Sequence, residues 1–431
     1  MTQPTQAWGR MPTPPAKYER PLTDRHTNLP RPSDAQNTLL AHGWGRSYGD
    51  VALNPGHTLL HTRHLDRFMA FDPATGVLRA EAGVSLDAIL RLVIPQGWFL
   101  PVTPGTRFVT LGGAVANDVH GKNHHVMGSF GDHVRALELL RSDGSRQQCS
   151  ATQHPDWFRA TVGGLGLTGL ITWVEIGLRR IAQPDVQAIN RRFASIDDYW
   201  ALDAHWMPRC EYAVAWVDCL RGGRGIYTAG LHAGAQAQWR HPPAPQRQWP
   251  MTPPLSLVNR ASVWGFNWLY YHRPLPPQTL MPWPAFFYPL DGIGQWNRMY
   301  GPRGFIQYQC VLPPATMRDA SRELLRLIGS RGQGSFLAVF KTFGNRTAPG
   351  MLSFPRPGST LALDFPFQGE ATLRLCHELD AVVREAQGAL YPAKDARMPG
   401  SMFRAGYPDW EAFSTYVDPA FSSGFWRRVQ T

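Results

Sequence analysis

Apolar residues in the first part of the chain alternate or recur at helical spacing, and they predict short strands and helices. Strands are expected over 38–41 and in a hairpin over 68–71 and 77–80, which turns at 72–76 through Asp-Pro-Ala-Thr-Gly. Ser85 is expected to cap a helix over 86–93, where apolar residues recur every three or four positions and which Pro95 ends. A second hairpin is expected over 134–140 and 146–149.

The later part of the chain predicts a second sheet. Strands are expected over 304–312, 335–342 and 360–367, flanked by helices over 317–328 and 373–386. Because side chains alternate across a strand, Gln307 and Gln309 share one face, opposite the face of Ile306, Tyr308 and Cys310. Two amides on one face suit a polar ligand such as a sugar better than a core. This mixture lacks a regular strand–helix–strand rhythm, so the predicted fold class is α+β.

A glycine motif in this pattern is misleading. Gly164, Gly166 and Gly169 match the GxGxxG expression of a dinucleotide-binding fold. That mechanism needs a strand before the glycines and a helix after them. Here a helical segment over 156–161 precedes the glycines and a β-rich segment over 170–176 follows. A nicotinamide site of the Rossmann type is therefore not expected.

Residues 238–288 differ in composition from the rest of the chain. They are crowded with proline, which is expected to prevent long helices. The aromatic and cationic residues concerned are Trp239, Trp249, Trp264, Trp268, Trp283, Arg240, Arg247, Arg260 and Arg273. They indicate either a surface that meets lipid headgroups or a packed irregular lid, and both alternatives stay open.

Composition narrows the class of protein. A chain of 431 residues exceeds one typical domain, so two domains with a cleft are expected. We find no apolar run long enough to cross a bilayer and no apolar signal core, so a soluble cytoplasmic protein is expected. The five cysteines have no CxxC spacing and are expected to be reduced, mostly buried thiols. The net charge of +11 predicts an anionic partner, with nucleic acid the least favoured because no binding motif is found.

Residues 101–135 combine many glycines with little apolar bulk. Gly105, Gly112, Gly113 and Gly121 allow main-chain N–H groups to approach a phosphate, although ordinary tight turns would use the same residues. In the loop 42–50, Arg46 adds a donor suited to a pyrophosphate, and a glycine-rich turn is the alternative.

Several motifs together carry a family resemblance. They are Gly45-Arg46-Ser47-Tyr48-Gly49-Asp50, Pro104-Gly105-Thr106, Thr110-Leu111-Gly112-Gly113, His120-Gly121-Lys122-Asn123-His124-His125, Pro289-Leu290-Asp291, Gln307-Tyr308-Gln309, Phe340-Lys341, Asp364-Phe365-Pro366 and Ala393-Lys394-Asp395. In this order they resemble the vanillyl-alcohol oxidase superfamily of flavoenzymes, over nearly all of the chain from residue 41 onward.

The resemblance implies a two-domain fold and a flavin cofactor. It implies an FAD-binding domain over 1–185 with an N-terminal arm over 1–36, an antiparallel-sheet substrate or cap domain over 186–388, and a return to the first domain over 389–431. FAD is expected to be non-covalent, because the first loop carries Ser47-Tyr48 as in non-covalent members. The residues expected to contact FAD are Ala41, His42, Gly43, Trp44, Gly45, Arg46, Ser47, Tyr48, Gly49, Asp50, Gly105, Thr106, Thr110, Leu111, Gly112, Gly113, Asn117, Asp118, Val119, His120, Gly121, Asn123, Gly166, Leu170, Ile171 and Tyr391.

The resemblance also implies roles for individual side chains. Lys394 is expected to act beside the flavin, with a surface salt bridge to Asp395 as its alternative. His120 is expected to accept a proton, because an ordinary histidine pKa suits that task. The residues expected to bind substrate are Tyr48, Gln307, Gln309, Lys341 and Phe287, where Lys341 lies either in a pocket or at a solvated sheet edge. A metal held by His120, His124, His125 and His133 is not expected.

The implied activity is oxidation of the 2'-hydroxyl of a polyprenyl-phosphoryl-β-D-ribose to a ketone, the first half of epimerisation to arabinose in cell-wall precursor formation. A short-chain reductase would complete the epimerisation, and peripheral contact with the inner membrane surface would fit a lipid substrate. Two alternatives stay open: an alditol or aldonolactone oxidase that uses oxygen, and a flavin- or lipid-binding partner without catalysis.

Overall fold

The structure is a computed structural model that describes residues 5–30, 37–235 and 247–431. Parts of the expected arm, at 1–4 and 31–36, lie outside the described residues, as do Gln238, Trp239 and Arg240. The strands of the described residues are β1 Tyr18–Pro21, β2 Leu39–His42, β3 Thr58–His61, β4 Phe68–Asp72, β5 Val77–Glu81, β6 Trp98–Phe99, β7 Val134–Leu140, β8 Arg146–Cys149, β9 Leu170–Gly177, β10 Arg179–Arg180, β11 Val186–Phe193, β12 Tyr212–Val217, β13 Gly225–His232, β14 Gln278–Met281, β15 Phe305–Leu312, β16 Val339–Phe343, β17 Gly358–Pro366 and β18 Ala389–Leu390. The helices are α1 Leu86–Val93, α2 Leu111–Ala116, α3 His124–Met127, α4 Pro155–Thr161, α5 Ile196–Trp206, α6 Arg260–His272, α7 Trp283–Phe287, α8 Met317–Arg331, α9 Glu370–Glu385, α10 Gly400–Gly406, α11 Trp410–Ser414 and α12 Gly424–Gln430.

A five-stranded antiparallel sheet, in the order β4-β5-β9-β7-β8, is built from residues 68–177. Both hairpins predicted from the turn residues are confirmed. The helix expected over 86–93 is confirmed as α1, and the Ser85 hydroxyl accepts a hydrogen bond from the Ala88 N–H at 3.1 Å. Helices α1 and α2 pack with the apolar side chains of this sheet, including Leu78, Leu137 and Val174.

An eight-stranded sheet has the order β14-β11-β13-β12-β16-β17-β15-β18. All of its pairs are antiparallel. The strands expected over 304–312 and 360–367 are confirmed as β15 and β17, and β16 begins at Val339, four residues later than predicted. Helices α8 and α9 contact each other and this sheet, and the large hydrophobic core lies between the helices and the sheet. The α+β class with antiparallel sheets is therefore confirmed.

The two ends of the described chain join these sheets. In the arm, β1 pairs in parallel with β3, which also pairs with β2. After β18 has paired with β15, the C-terminal segment crosses to the first part of the chain. There the Arg428 Nη2 atom lies 2.7 Å from Asp50 Oδ1, and Leu39 forms a bridge with Phe421. The segment 389–431 thus contacts both parts of the molecule.

One element contradicts the sequence-based expectation. Helix α6 is 13 residues long, although prolines were expected to prevent long helices over 238–288. That prediction was wrong because no proline lies between Pro254 and Pro274. The Asn259 side chain accepts hydrogen bonds from the N–H groups of Ala261 and Ser262, which begins the helix.

The order of elements around the glycine motif is as predicted. Helix α4 ends at Thr161, before the glycines, and β9 begins at Leu170, after them. Because the strand follows rather than precedes the glycines, the motif does not place a phosphate at the start of a helix. Separately, no helix among the described residues combines the length and the apolar character needed to cross a bilayer.

Candidate active site

The two glycine loops, the inner face of the eight-stranded sheet and the segment after β18 meet at one place. Direct contacts join them: the Tyr48 N–H donates to the Ala393 carbonyl at 3.0 Å, and the Tyr391 hydroxyl donates to the Asn117 carbonyl at 2.9 Å. The arm contributes as well, since the Trp8 N–H donates to the carbonyl of Ser47. Residues far apart in sequence are therefore held in one site.

Lysines are concentrated at this site. The chain contains only four lysines, Lys17, Lys122, Lys341 and Lys394, beside 39 arginines. Lys341 is only 7% exposed, which confirms the pocket and excludes the solvated sheet edge. Burial, then the charges of Lys122 and Lys394, lower the pKa of Lys341 to about 7. Burial also lowers the pKa of Lys122 to about 8. A lysine, unlike an arginine, can lose its proton under these conditions.

A chain of hydrogen bonds runs from Lys341 through His120 to Gln309. Lys341 Nζ lies 2.8 Å from His120 Nδ1 and donates to the Gly121 carbonyl at 2.7 Å. On the other side of the ring, His120 Nε2 lies 3.0 Å from Gln309 Nε2. If the Lys341 ammonium donates to Nδ1, then Nε2 carries a hydrogen and the Gln309 amide must turn its oxygen toward it. If the Lys341 amine is neutral, it accepts from Nδ1 and Gln309 donates to Nε2. The ring is neutral in both arrangements.

The expectation of an ordinary pKa for His120 is wrong. Burial, followed by the charges of Lys341, His124 and Lys394, lowers the pKa of His120 well below its usual value. Local sequence gave no sign of this shift because Lys341 and Lys394 lie more than two hundred residues away in the chain. In the polypeptide alone, the ring therefore has little tendency to take up a proton.

Asp364 is a site residue to which sequence reasoning gave no role. On β17 it is the register partner of Gln307, whose Nε2 donates to Asp364 Oδ1 at 2.6 Å. Asp364 has no exposed surface, so burial raises its pKa, against the opposing effects of Gln307 and Lys394. The available signal was a carboxylate inside the apolar strand predicted over 360–367. Gln307 Oε1 is itself buried and has no partner among the described residues.

Lys394 lies over an aromatic ring in the site. Its Nζ is 4.1 Å from the ring centroid of Tyr48, and burial lowers its pKa while the charge of Asp364 opposes that shift. The alternative, a surface salt bridge to Asp395, is excluded by the partners of that carboxylate. Asp395 lies 2.9 Å from Arg428 and accepts from the N–H groups of Arg397 and Met398. Lys394 therefore does not pair with Asp395, and the carboxylate whose charge acts on it is Asp364.

The four glycines expected to form a phosphate cradle differ in their surroundings. A Cβ atom at Gly105 would meet no protein atom within 4 Å, which leaves its loop open to a ligand. At Gly112 it would lie 2.8 Å from the Ala82 Cβ, at Gly113 2.8 Å from Thr110 Oγ1, and at Gly121 2.8 Å from Asn123 Oδ1. For these three, close packing within the protein already explains glycine.

The remaining glycines support two different roles. A Cβ atom at Gly49 would lie 1.8 Å from the Asp395 carbonyl oxygen, so glycine is needed there for the close approach of two segments. At Gly166, where φ is +74°, a Cβ atom would meet no protein atom within 4 Å. Like Gly105, Gly166 thus borders open space.

The first loop presents part of its expected donor set. Arg46 stacks on Trp8, with 4.1 Å from its guanidinium carbon to the ring centroid, and its Nε donates to the Phe108 carbonyl at 3.3 Å. Trp44 is 45% exposed. His42 is buried, its Nδ1 lies 2.8 Å from the Ala52 carbonyl, and burial lowers its pKa to about 4. Arg46 remains the cation of this loop.

Several residues expected to contact FAD are engaged by protein groups instead. Asp50 is paired with Arg428. Both carboxylate oxygens of Asp118 accept hydrogen bonds, one from the Gly131 N–H at 2.8 Å and one from the Ser353 hydroxyl at 2.5 Å. Asn123 is 1% exposed and donates to the Pro101 carbonyl. Other residues of the expected set that are also buried in the polypeptide are His42, Tyr48, Gly49, Thr110, Leu111, Gly112, Gly121, Leu170, Ile171 and Tyr391.

Phe287 is not brought together with the other expected substrate residues. It is the last residue of α7, is 2% exposed and packs among the rings of Phe99, Tyr212 and His232. Its assignment to the substrate site is therefore corrected to a core position. Its position beside Pro289-Leu290-Asp291 misled because a short buried helix turns its side chain into the core.

The histidines near the second loop have separate partners. His124 Nδ1 accepts from the Gly344 N–H at 3.2 Å, His125 Nε2 lies 2.9 Å from the Cys210 carbonyl, and His133 Nε2 lies 2.8 Å from the Met127 carbonyl. Over the part of the chain that the structure describes, no three histidine, cysteine or carboxylate side chains converge as metal ligands do.

The polypeptide has features that fit a dinucleotide with a redox ring. The Gly105 and Gly166 positions border open space, and Arg46 supplies a cation near the first loop. The side-chain oxygens of Asn117 and Gln307 are buried without a partner among the described residues, and buried oxygens of this kind ordinarily bind a donor. The lysines Lys341 and Lys394 suit the negative charge that develops on a reduced ring.

Comparison with known proteins gives a consistent picture. Residues 33–150 match the model of a family described as an FAD binding domain. The chain is 36% identical over 413 residues to decaprenylphosphoryl-beta-D-ribose oxidase of Mycolicibacterium smegmatis, covering 91% of this chain and 89% of that protein. It is 34% identical over 374 residues to an uncharacterised protein of Streptomyces coelicolor, covering 80% of this chain and 100% of that protein. It is 26% identical over 141 residues to a putative D-arabinono-1,4-lactone oxidase of Neurospora crassa, covering 32% of this chain and 25% of that protein.

Proposed function

The chain belongs to the decaprenylphosphoryl-beta-D-ribose oxidase family of FAD-dependent oxidoreductases, and from that premise we propose that it oxidises the 2'-hydroxyl of a polyprenyl-phosphoryl-β-D-ribose to a ketone. The proposal includes FAD that is bound without a covalent link. It also includes the two-domain arrangement of the vanillyl-alcohol oxidase type, divided at about residue 186 and completed by the segment 389–431.

One observation supports this proposal above the others. Two of the four lysines in the chain, Lys341 and Lys394, lie in the same site as two strand-borne glutamines, and Lys122 is near enough for its charge to lower the pKa of Lys341. Surface lysines ordinarily stay solvated, because burying an ammonium group costs free energy. Their concentration here is explained by an anionic cofactor and an anionic substrate.

The residues that would hold FAD lie at the two loops and the C-terminal segment. Main-chain groups at Gly105 and Gly166, with Arg46, would meet the dinucleotide, and Lys394 would stabilise negative charge on the redox ring. Bound FAD supplies the acceptor for the two electrons and the hydrogen that leave the substrate carbon. The Tyr48 ring contacts the Lys394 ammonium, and burial raises the pKa of the Tyr48 phenol.

Gln307, Gln309 and Lys341 would bind the sugar phosphate. The unpaired Gln307 oxygen can accept a hydrogen bond from a sugar hydroxyl. Gln309 and Lys341 both contact His120, so a ligand that binds either side chain also changes the contacts of the ring. Lys341 adds positive charge when it is protonated.

His120 is the proposed proton acceptor, with a condition that follows from its contacts. Its two ring nitrogens contact Lys341 and Gln309, so it can take the hydroxyl proton only after one of these partners is displaced. An anion bound by Lys341 would neutralise the positive charge that this lysine exerts on the ring. The pKa of His120 would then rise toward its ordinary value. The proton and the hydride thus leave the substrate on separate paths.

The proposal extends to partners and location. A ketone left at the 2' carbon needs a reductase to complete epimerisation, and we propose a separate short-chain reductase for that step. A polyprenyl substrate resides in a membrane, so we propose that the protein works at the inner surface of the cytoplasmic membrane without spanning it.

The test is anaerobic flavin bleaching. The purified yellow protein is mixed without oxygen with a phosphoryl-ribose lipid, with free pentoses and with polyols, and absorbance near the flavin band is followed. We expect the phosphoryl-ribose lipid to bleach the flavin. Faster bleaching by free polyols, with stoichiometric peroxide in air, would instead indicate an alditol or aldonolactone oxidase. Flavin that every substrate leaves oxidised would indicate a binding partner without catalysis.

Lys394→Ala sharpens this test. The variant should keep its FAD, because many other groups hold the dinucleotide, and should lose measurable flavin reduction with the lipid substrate. A loss of at least about a hundredfold in the rate of reduction is expected when a charge opposite the developing anion is removed. Lys17→Ala, at an exposed lysine of the arm, is the matched control. Unchanged reduction in Lys394→Ala would remove that lysine from the mechanism.

A further inference from the structure

Exposed apolar side chains are concentrated in one stretch of the chain. Nine of the fifteen large apolar side chains that are exposed among the described residues lie between Met251 and Ile293. We define the tryptophan face as the exposed side of α6 with the residues just before it. Its members are Leu255, Leu257, Trp264, Trp268 and Leu269, which are 78%, 48%, 49%, 44% and 64% exposed.

The outer side of α6 is more apolar than that of an ordinary surface helix. Trp264 and Trp268 are four residues apart, so they lie on the same outer side of the helix. The inner side carries the buried Asn267, whose Nδ2 donates to Asp218 Oδ1 at 2.9 Å. A surface helix normally turns its apolar stripe inward. Here Val263 and the Asn267 amide face the protein, while two indoles face outward.

The charge around this face has one sign. Between residues 221 and 303 the sequence contains eight arginines and a single acidic residue, Asp291, which is buried. Arg260 and Arg273 stand at the two ends of α6, and the Arg221 guanidinium lies 5.3 Å from the Trp264 ring centroid. In the described part of the chain, no carboxylate forms a salt bridge with any of these three arginines.

The carboxylate on the inner side of α6 does not neutralise the face. Asp218 is 2% exposed and pairs with Arg224 at 3.1 Å as well as with Asn267. The positive charge of Arg221, Arg260 and Arg273 is therefore available to an outside ligand.

We propose that the tryptophan face docks the protein on the surface of an anionic phospholipid bilayer. Indole rings are favourable at headgroup depth, where the ring is apolar and the N–H remains solvated. Arginines around them meet lipid phosphates, each contributing to binding near a negative surface. An apolar stripe bordered by cations is the pattern of helices that lie in the plane of an interface.

A second copy of this chain fits the face less well. A two-fold contact would place Arg221, Arg260 and Arg273 against the same arginines of the other copy, with no acidic residue of this segment exposed to compensate. The one-sided charge therefore favours an anionic surface over self-association.

The face is linked to the candidate site by packing. Val263, on the inner side of α6, belongs to one buried cluster with Tyr48, Tyr300 and Phe305, and Tyr48 contacts Lys394. A bilayer held against α6 would thus be connected to the site through this buried cluster. The docking inference does not depend on the identity of the substrate, and a binding assay can fail while the bleaching assay succeeds.

The experiment is flotation with vesicles, using the full-length FAD-loaded protein. Vesicles of phosphatidylcholine alone are compared with vesicles of phosphatidylcholine and phosphatidylglycerol, at low and high NaCl. We expect binding to the anionic vesicles that weakens as salt screens the arginines. No binding to anionic vesicles, or equal binding to neutral ones, would overturn the proposal.

Variants distinguish vesicle binding through the tryptophan face from binding through the net positive charge of the protein. Trp264→Ser with Trp268→Ser should weaken binding roughly tenfold or more through lost apolar contact. Arg260→Gln with Arg273→Gln should weaken it about fivefold for each charge removed. Phe68→Ser and Arg374→Gln, at exposed residues elsewhere, are matched controls and should bind like the wild type.

Flavin content and Tm report whether each variant is folded. Should the double tryptophan variant lose its flavin, Leu269→Asp changes one exposed side chain of the same face and should also weaken binding. Tryptophan-face and α6 arginine variants that bind vesicles like the wild type would overturn the proposal. So would a dimer in solution that the tryptophan changes abolish while vesicle binding persists, because the face would then meet a second copy.

Discussion

Lys341 shows how a single residue can differ from its ordinary chemistry. Its amine is buried between His120 and the Gly121 carbonyl, and two other lysines act on its charge. The alternation of side chains along β16 is compatible with two positions for this lysine, a pocket or a solvated sheet edge. The pairing of β16 with β17 decided the pocket.

Lys341→Met tests this burial through pH. The pKa of about 7 in the folded state lies below the ordinary value of 10.5, so between these values the folded protein binds fewer protons than the unfolded chain. The contribution of Lys341 to the free energy of unfolding therefore rises as the pH increases from 7 toward 10.5, and it is lost again as the pH falls back to 7. We expect the Tm of the wild type relative to Lys341→Met to rise between pH 6 and pH 9.5 in FAD-free protein. The gain in the free energy of unfolding should not exceed roughly 3.5 kcal/mol, since each of the 2.5 pH units above 7 contributes about 1.4 kcal/mol.

The control for this prediction is Lys17→Met. Lys17 is exposed on the arm, so its removal should leave the pH dependence of Tm unchanged. A Tm difference between wild type and Lys341→Met that stays constant over this pH range would show that the amine is not desolvated.

At the scale of elements, the second glycine loop combines two functions in one stretch. Gly112 packs α2 against the segment at Ala82, whereas Gly105 borders open space. The sequence treats these glycines alike. Only their neighbours distinguish a glycine required for packing from one required for a ligand.

Gly105→Ala and Gly112→Ala should separate these functions. Gly105→Ala adds a methyl group that meets no protein atom, so the FAD-free protein should keep its Tm while its FAD affinity falls about tenfold, or roughly 1.4 kcal/mol. Gly112→Ala should lower the Tm itself, because its methyl group would lie 2.8 Å from the Ala82 Cβ. Tm is measured by thermal denaturation and affinity by quenching of flavin fluorescence.

Gly234→Ala is the matched control for Gly105→Ala. A Cβ atom at Gly234, in the loop after β13, also meets no protein atom within 4 Å. This variant should keep both Tm and FAD affinity. Equal FAD affinity in Gly105→Ala and the wild type would contradict a role for this loop in binding the dinucleotide.

For the whole molecule, FAD binding joins segments that are distant in the chain. The expected contacts come from the first loop, the second loop, the region of Gly166 and the C-terminal segment. Because no covalent link is expected, FAD should stabilise the protein by mass action. At one hundred times its dissociation constant, the expected gain is about 2.7 kcal/mol.

Acid release of the flavin checks this prediction. After precipitation of the protein with acid, all of the yellow colour should stay in the supernatant, and added FAD should raise the Tm of the stripped protein in a concentration-dependent way. Cys149, Cys219, Cys310 and Cys376 are buried thiols, and the first loop holds no cysteine. Flavin that remains with the pellet would instead indicate a covalent bond.

Much of the fold could be predicted because its signals are local. The cap at Ser85, the turn at 72–76 and the reversed order of elements around Gly164 depend on residues close in sequence, and all three are confirmed. Helix α6 was missed because proline content was averaged over 238–288, although its own residues contain no proline. Local composition therefore failed where one element differs from its surroundings.

The sequence by itself determined the family, the fold class and the residue types available for chemistry, because motifs and periodicities are properties of neighbouring residues. Only the tertiary structure decided which of these residues meet. It placed Asp364 opposite Gln307, held His120 neutral beside Lys341, turned Phe287 into the core and turned the indoles of α6 outward. The physical reason is that burial and charge at a site depend on groups that are close in space but far apart in the chain.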